Sequence, residues 1–258
     1  MPPLARPFSR SRALLPVAVA LMFMFVLGGC ASNGNPRDPL EPLNRGIYKF
    51  NDGVDIMFIK PVSEAYRFYL PELARTGVSN VFSNINDVIV ALNNLLQGKF
   101  VNAMSDVGRI VINSTIGVLG LIDVATEFGL EKNYEDFGQT LGYWGIGDGP
   151  YLVLPFLGPS NFRDGVGWVG DIYTWPVTYV QRVRYRNTIT GIRFISARAE
   201  LLEASKILET AALDPYEFVR DAYMQRRRNQ VYDGKPPADD DDKDPEEKPK
   251  PAAPKPAP

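Results

Sequence analysis

Apolar residues recur at helical spacing through most of the chain between residues 38 and 232. The clearest example is the stretch 193–212, in which charged residues occupy the faces that the apolar residues leave free. Directly after it, Asp214 is followed by a proline and then by Glu217, which is the pattern of a capped helix start, and a helix to about Gln230 is predicted. The apolar positions that define the buried face of the first helix are Phe194, Leu201 and Leu208.

Four more helices are predicted upstream of these two. Residues 87–97 and 99–113 show apolar positions on one face each and are separated by Gly98. Residues 44–60 and 62–69 are shorter candidates, and a proline follows each of them closely. Strict alternation of apolar and polar residues, as in a half-buried strand, never extends to a useful length, so the pattern predicts an all-α fold without a substantial sheet.

One segment, residues 138–176, fits this helical pattern poorly. It contains nine of the 22 glycines, four prolines and all three tryptophans, so we expect irregular backbone in an apolar setting. Two interpretations are equally open, a packed irregular core and the wall of a pore or groove. The chain as a whole is rich in aromatic residues, with 14 Phe and 12 Tyr. Helices lying in a membrane interface would explain this richness, but periodicity alone favours ordinary core packing.

The first 37 residues predict export and lipidation. Residues 1–29 combine an arginine-rich start with a short uncharged apolar stretch, as in a secretory signal peptide, and end in Leu-Gly-Gly before the only Cys of the chain. This ending resembles a bacterial lipobox, which implies cleavage between Gly29 and Cys30 and a diacylglycerol and an N-acyl chain on Cys30. Ala31 resembles an outer-membrane sorting signal, and residues 30–37 read as a lipidated tether. The protein is therefore expected on the periplasmic side of the outer membrane.

Composition excludes most catalytic chemistry and predicts a disordered C-terminal tail. With no His, one Cys and a net charge of −2, the chain lacks the usual general base, a disulfide framework and the basic face of a nucleic-acid binder. No cofactor and no metal site are expected. Residues 233–258 are rich in Pro, acids and Lys and are predicted to be a disordered tail.

Short strings in a fixed order give this sequence a family resemblance that runs from the lipobox to about Arg226. It resembles the MlaA family, also called VacJ, of outer-membrane lipoproteins. The strings include DPLEPLNR at 38–45, YKFN at 48–51, RTGVSN at 75–80, NSTIG at 113–117, GLIDVA at 120–125, FGQTLG at 137–142, GIGDGPY at 145–151 and RDAY at 220–223.

The resemblance implies a lipid transporter and not an enzyme. Residues 38–232 would form a ring-like bundle of amphipathic helices embedded in one leaflet, with the Gly-, Pro- and aromatic-rich segment near a central channel. The protein would remove mislocalised phospholipid from the outer leaflet and so maintain lipid asymmetry. Its implied partners are a trimeric porin, the periplasmic carrier MlaC and, through MlaC, the inner-membrane complex MlaFEDB. The alternative is a scaffold lipoprotein that associates with porins and moves no lipid.

Five residues are candidates for the lipid path. Gly145, Gly147 and Gly149 alternate along one loop and would let it flex beside a pore. Arg109 or Arg163 could contact a lipid phosphate, because a guanidinium suits that group. The alternative for each arginine is an internal ion pair, since a buried charge is usually paired. The candidate partners for such a pair are Asp123, Asp164 and Asp171.

Overall fold

The computed structural model describes residues 38–237, and these residues are mainly helical, as predicted. None of their helices combines the length and apolar character needed to cross a bilayer. The signal peptide, Gly29 and Cys30, the tether and the tail from residue 238 onward lie outside the described residues. The helices are α1 Glu41–Val54, α2 Lys60–Tyr69, α3 Glu72–Leu96, α4 Phe100–Thr115, α5 Val124–Glu127, α6 Phe137–Tyr143, α7 Phe162–Thr174, α8 Val183–Glu200, α9 Leu202–Ala211 and α10 Pro215–Val231.

Helices α1 and α2 form one continuous rod, and the prediction of a break at Pro61 was wrong. A π-helical turn, Asp55–Ile59, joins them, and the backbone N–H of Lys60 bonds to the carbonyl of Asp55, five residues back. Proline inside an α-helix removes one hydrogen bond and clashes with the carbonyl four residues earlier. The wider turn changes that pairing just before the proline, so Pro61 sits in the first turn of α2, where its missing N–H costs little.

Helices α3 and α4 pack against each other as an antiparallel pair. The break at Gly98 is confirmed, and its φ of +75° explains it, since glycine adopts this left-handed conformation without steric cost. The predicted start of α3 at residue 87 was wrong, because the helix begins at Glu72. Much of its buried face is polar, and an apolar pattern cannot reveal such a helix. Its buried polar residues are Asn84, Asp87, Asn93 and Asn94.

The segment 138–176 is more regular than predicted. It contains most of α6, an antiparallel hairpin of β1 Tyr151–Leu154 and β2 Gly158–Asn161, and all of α7. In the hairpin Tyr151 faces Asn161 and Leu154 faces Gly158. Irregular backbone is largely confined to the glycine loop, residues 144–150, and to the tip of the hairpin.

The C-terminal helices agree with the prediction in part. The capped start of α10 is confirmed, because the Asp214 carboxylate accepts hydrogen bonds from the N–H groups of Tyr216 at 3.0 Å and Glu217 at 3.3 Å. The single helix predicted for residues 193–212 is two helices, α8 and α9, separated at Leu201. The fold also extends past the predicted boundary at residue 232, since Lys99 forms an ion pair with Asp233.

Compared with a water-soluble helical bundle, this fold buries more polar side chains and exposes more large apolar ones. Among residues 38–237, twelve hydrophobic residues are buried, against twenty-one polar or charged ones. Large apolar side chains are instead exposed along the helices, with exposed fractions of 82% for Phe68, 86% for Leu73 and 83% for Val101. Ordinary core packing therefore does not account for most of the apolar residues, and the interface explanation fits better.

Candidate functional site

A partly enclosed cavity of about 890 Å³ lies where α3, α6, α7, α8 and α10 meet. One part of its wall is apolar and aromatic, and another part carries neutral polar groups and charges. The apolar lining residues are Ile89, Trp168, Ile172, Trp175 and Phe194. The neutral polar lining residues are Asn86, Gln139, Thr178, Asn187, Thr190 and Gln230. An amphiphilic molecule would find a matching surface for both of its ends here.

Three arginines line the cavity, and the described residues offer none of them a salt bridge. Arg186 and Arg193 project from α8, and Arg226 projects from α10. The guanidinium of Arg193 stacks on the ring of Trp175, with its central carbon 4.0 Å from the ring centroid. Burial lowers the pKa of Arg193, and the charge of Asp171 acts in the opposite direction.

The acidic residues that line the cavity differ in whether a cation forms an ion pair with them. Glu135 forms an ion pair of 2.9 Å with Lys99, and Asp136 forms one of 2.6 Å with Arg227. Asp171 has no such partner within residues 38–237, although it accepts a hydrogen bond of 3.0 Å from the N–H of Phe137. Burial, together with the negative charge of Asp136, raises the pKa of Asp171 to about 6.

Arg109 lies outside this cavity, in a buried junction of α3, α4 and α5. Only 1% of its surface is exposed, and its Nη2 lies 2.9 Å from an oxygen of Asp123. The Asp87 carboxylate is 3.6 Å from its Nε, and Thr126 accepts a hydrogen bond of 3.0 Å. The structure thus favours the ion pair with Asp123 over a contact with lipid phosphate.

Arg163 is likewise paired, and it holds the glycine loop against α7. Its Nη2 lies 3.0 Å from Asp164, and its Nη1 forms a second ion pair with Asp148. Its backbone N–H donates to the carbonyl of Asp148 at 3.1 Å. Because Asp148 belongs to the loop, Arg163 acts as a positioning residue for it, and the geometry again favours the ion pair over a phosphate contact.

The three loop glycines are not equivalent. Gly145 and Gly149 have positive φ angles of +91° and +67°, and a Cβ on Gly149 would come within 2.9 Å of the Cβ of Phe162. Gly147 lies outside that region of φ, and a Cβ on it would meet no atom within 4 Å. The loop is mostly exposed, so the structure leaves it room to move.

Sequence reasoning missed the cavity arginines. Arg186 fell outside the predicted helix, which began at residue 193, although Arg186 and Arg193 are seven residues apart and share a face. That seven-residue spacing was the one sign in the sequence that Arg186 and Arg193 belong to the same helix face. Arg226 gave no signal, because only the tertiary packing of α10 against α6 brings it near α8.

The sequence and the fold also match known proteins. The model of a family described as "MlaA lipoprotein" matches residues 36–230. The chain belongs to the MlaA lipoprotein family.

Two relatives of the MlaA family carry the name "Intermembrane phospholipid transport system lipoprotein MlaA". The one from Escherichia coli K12 is 38% identical, over 78% of this chain and 82% of its own length. The one from Haemophilus influenzae is 31% identical, over 85% of this chain and 91% of its own length.

A solved structure is similar to this chain as well. It was described as "Structural basis for maintenance of bacterial outer membrane lipid asymmetry". It is 35% identical to this chain and superimposes with a TM-score of 0.66, covering 75% of this chain and 98% of the other. The solved structure and the chain described here therefore share one fold.

Proposed function

We propose that this protein is an outer-membrane lipoprotein that takes mislocalised phospholipid from the outer leaflet and passes it to a periplasmic carrier. The cavity carries the proposal, because it places an aromatic wall beside charged and polar groups in one space. A phospholipid needs both surfaces along its path, one for acyl chains and one for its head group. The names of the Escherichia coli and Haemophilus influenzae relatives support the same activity. The activity is transport without catalysis.

The exposed apolar side chains support a position within one leaflet of the membrane. Two groups of them are well separated along the chain, and an amphipathic helix gains free energy by burying such a face at the boundary of head groups and acyl chains. The first group is Ile56, Met57 and Phe58, and the second is Phe100, Val101 and Met104. In this position buried polar residues face the interior of the protein, and apolar residues face lipid.

The anchor and the partners complete the proposal. A diacylglycerol and an N-acyl chain on Cys30 would hold the protein on the periplasmic side of the outer membrane, since several acyl chains give stable anchoring. A trimeric porin would be its neighbour in the membrane. MlaC would receive the lipid and deliver it to MlaFEDB, which supplies the energy. Family membership supports these assignments.

The test is deletion of the gene followed by complementation with the wild-type chain. Deletion should raise phospholipid in the outer leaflet, measured by surface-specific labelling of the lipid, and complementation should return it to the wild-type level. Deletion that leaves the outer-leaflet phospholipid unchanged but reduces the amount of assembled porin would contradict the proposal and favour the scaffold alternative.

The glycine loop, with Gly145, Gly147 and Gly149, is proposed to gate the lipid path. Gly147→Pro should impair clearance of outer-leaflet phospholipid while the protein accumulates normally, because a side chain there meets open space but proline fixes φ near −65°. Gly147→Ala is the matched control, since it adds a Cβ with far less restriction, and it should clear lipid normally. Protein level and lipid clearance are measured in the same strains. Normal clearance by Gly147→Pro would exclude gating by this loop.

A further inference from the structure

Two helices bring three arginines to the lining of the cavity. Arg186 and Arg193 are seven residues apart on α8, so they lie on the same face, two turns from each other. Arg226 reaches the same cavity from α10. Arg184 belongs to the same helix as the first two but does not line the cavity, and its side chain is exposed.

The pairing of these arginines differs from that of the buried arginines elsewhere in the fold. Arg109, Arg163 and Arg227 each lie within 3.0 Å of at least one carboxylate oxygen. The three cavity arginines have no salt bridge to any carboxylate between residues 38 and 237. Arg193 and Arg226 are exposed and Arg186 is half-buried, so an anion that enters the cavity can reach all three guanidinium groups.

Two of the three acids that line the cavity are paired with cations from outside its lining. Lys99 compensates Glu135, and Arg227 compensates Asp136. Among the acids that line the cavity, Asp171 alone lacks an ion pair with a described residue, and it acts on Arg193. Within the described residues, the lining thus holds three arginines and one carboxylate that have no salt bridge.

The stacking of Arg193 on Trp175 leaves its hydrogen-bonding edge available. A guanidinium that lies on an aromatic ring uses its face, whereas its N–H donors point outward in the plane and fit two oxygens of one phosphate. The same indole, with Phe194 and Ile172, gives the cavity its apolar surface. A phosphate attached to acyl chains would use both features, and inorganic phosphate would use only one.

We propose that Arg186, Arg193 and Arg226 form a binding site for the phosphodiester group of a glycerophospholipid within the cavity. This inference rests on the proposed function and deepens it, because it names the part of the substrate that the protein recognises. The apolar wall receives the start of the acyl chains, and the head-group alcohol beyond the phosphate lies toward the neutral polar residues.

The test is a binding titration with the purified full-length protein in a neutral detergent, followed by tryptophan fluorescence. The probe is dihexanoylphosphatidylglycerol, which has short chains and one phosphodiester. Arg193→Gln and Arg186→Gln should each weaken its binding about tenfold, the expected loss of a hydrogen bond to a charged group. Dihexanoylglycerol, which lacks the phosphate, should bind the wild type and both variants equally.

Arg184→Gln is the matched control, because it removes the same charge from the same helix outside the cavity, and it should bind the probe like the wild type. Inorganic phosphate at equal concentration should bind weakly. Equal affinity of inorganic phosphate and the probe would overturn the assignment to a lipid. Equal affinity of the wild type and both cavity variants for the probe would overturn the site itself.

Lipid clearance in cells separates this inference from the proposed function. If the wild type clears outer-leaflet phospholipid and the double variant Arg186→Gln, Arg193→Gln clears it equally well, the phosphate site is wrong and the proposed function stands. If the wild type itself fails to complement the deletion, the proposed function is wrong. Slower clearance by the double variant, at normal abundance, is the expected result.

Discussion

Arg227→Ala should lower the free energy of unfolding by about 3–5 kcal/mol, because it leaves buried carboxylates without their cation. Arg227 reaches Asp164 with Nε at 2.7 Å and Asp136 with Nη1 at 2.6 Å, and so joins α10 to α6 and α7. Burial acts to raise the pKa of Asp136, but the hydrogen bonds and charge of Arg227, together with the hydrogen bonds of Gln139, lower it. Asp164 also accepts a hydrogen bond of 2.6 Å from the hydroxyl of Tyr223.

The measurement is denaturant unfolding in detergent micelles, followed by circular dichroism. Arg227→Lys is the second variant, since it keeps the charge but loses the two-oxygen geometry, and it should be less damaging than Ala. Arg67→Ala is the control, because the pair of Arg67 and Glu203 is exposed and contributes little to stability. A loss of under about 1 kcal/mol for Arg227→Ala would show that the junction does not depend on this ion pair.

Gly167→Ala should separate α6 from α7 and destabilise the protein by about 3 kcal/mol, at the upper end of the cost of overpacking. A Cβ at Gly167 would lie 2.4 Å from the backbone N and 2.6 Å from the Cα of Gly138, and neither atom can move without moving α6. The contact adjoins the Arg227 junction, since a Cβ on Gly138 would come within 2.5 Å of Asp164. The effects of the two substitutions should therefore not be additive.

Gly165→Ala is a matched control for Gly167→Ala on the same helix. Its Cβ would find only the hydroxyl of Ser160 at 3.9 Å, and alanine favours helix by about 0.5–1 kcal/mol over glycine. It should leave the free energy of unfolding unchanged or raise it. Equal stability of the Gly165→Ala and Gly167→Ala proteins, measured by the same denaturant unfolding, would contradict the close approach of α6 and α7.

Local chemistry made part of the fold predictable. The Asp214 cap and the break at Gly98 depend on residues within a few positions, and both predictions are confirmed. Pro61 misled the prediction because a π-helical turn, which has no sequence pattern of its own, accommodates it. The first half of α3 was missed because residues such as Asn84 are buried where a water-soluble helix would bury leucine.

The site was less predictable than the fold. The sequence made Arg109 and Arg163 candidates, but it could not distinguish Arg109, which is surrounded by partners, from Arg193, which lines a cavity. That difference depends on which helices meet, and the helices that meet at the cavity are distant in sequence. The glycines at 145 and 149 were more informative, because their positive φ is a local property of the loop.

The attachment of α1 determines the order in which the chain can fold. Asp38 bonds to the hydroxyl of Tyr216, Arg45 lies 2.8 Å from Asp214, and the Asn44 side chain donates to the carbonyl of Tyr151 at 2.9 Å. These partners are 107 to 178 residues away in sequence. Since the first helix docks on partners between residues 151 and 216, it cannot take its final place until most of the protein has been synthesised. Until then Ile47 and Tyr48 lack the cluster of Tyr151, Val153 and Tyr216 against which they pack, so an incomplete chain leaves this apolar surface uncovered.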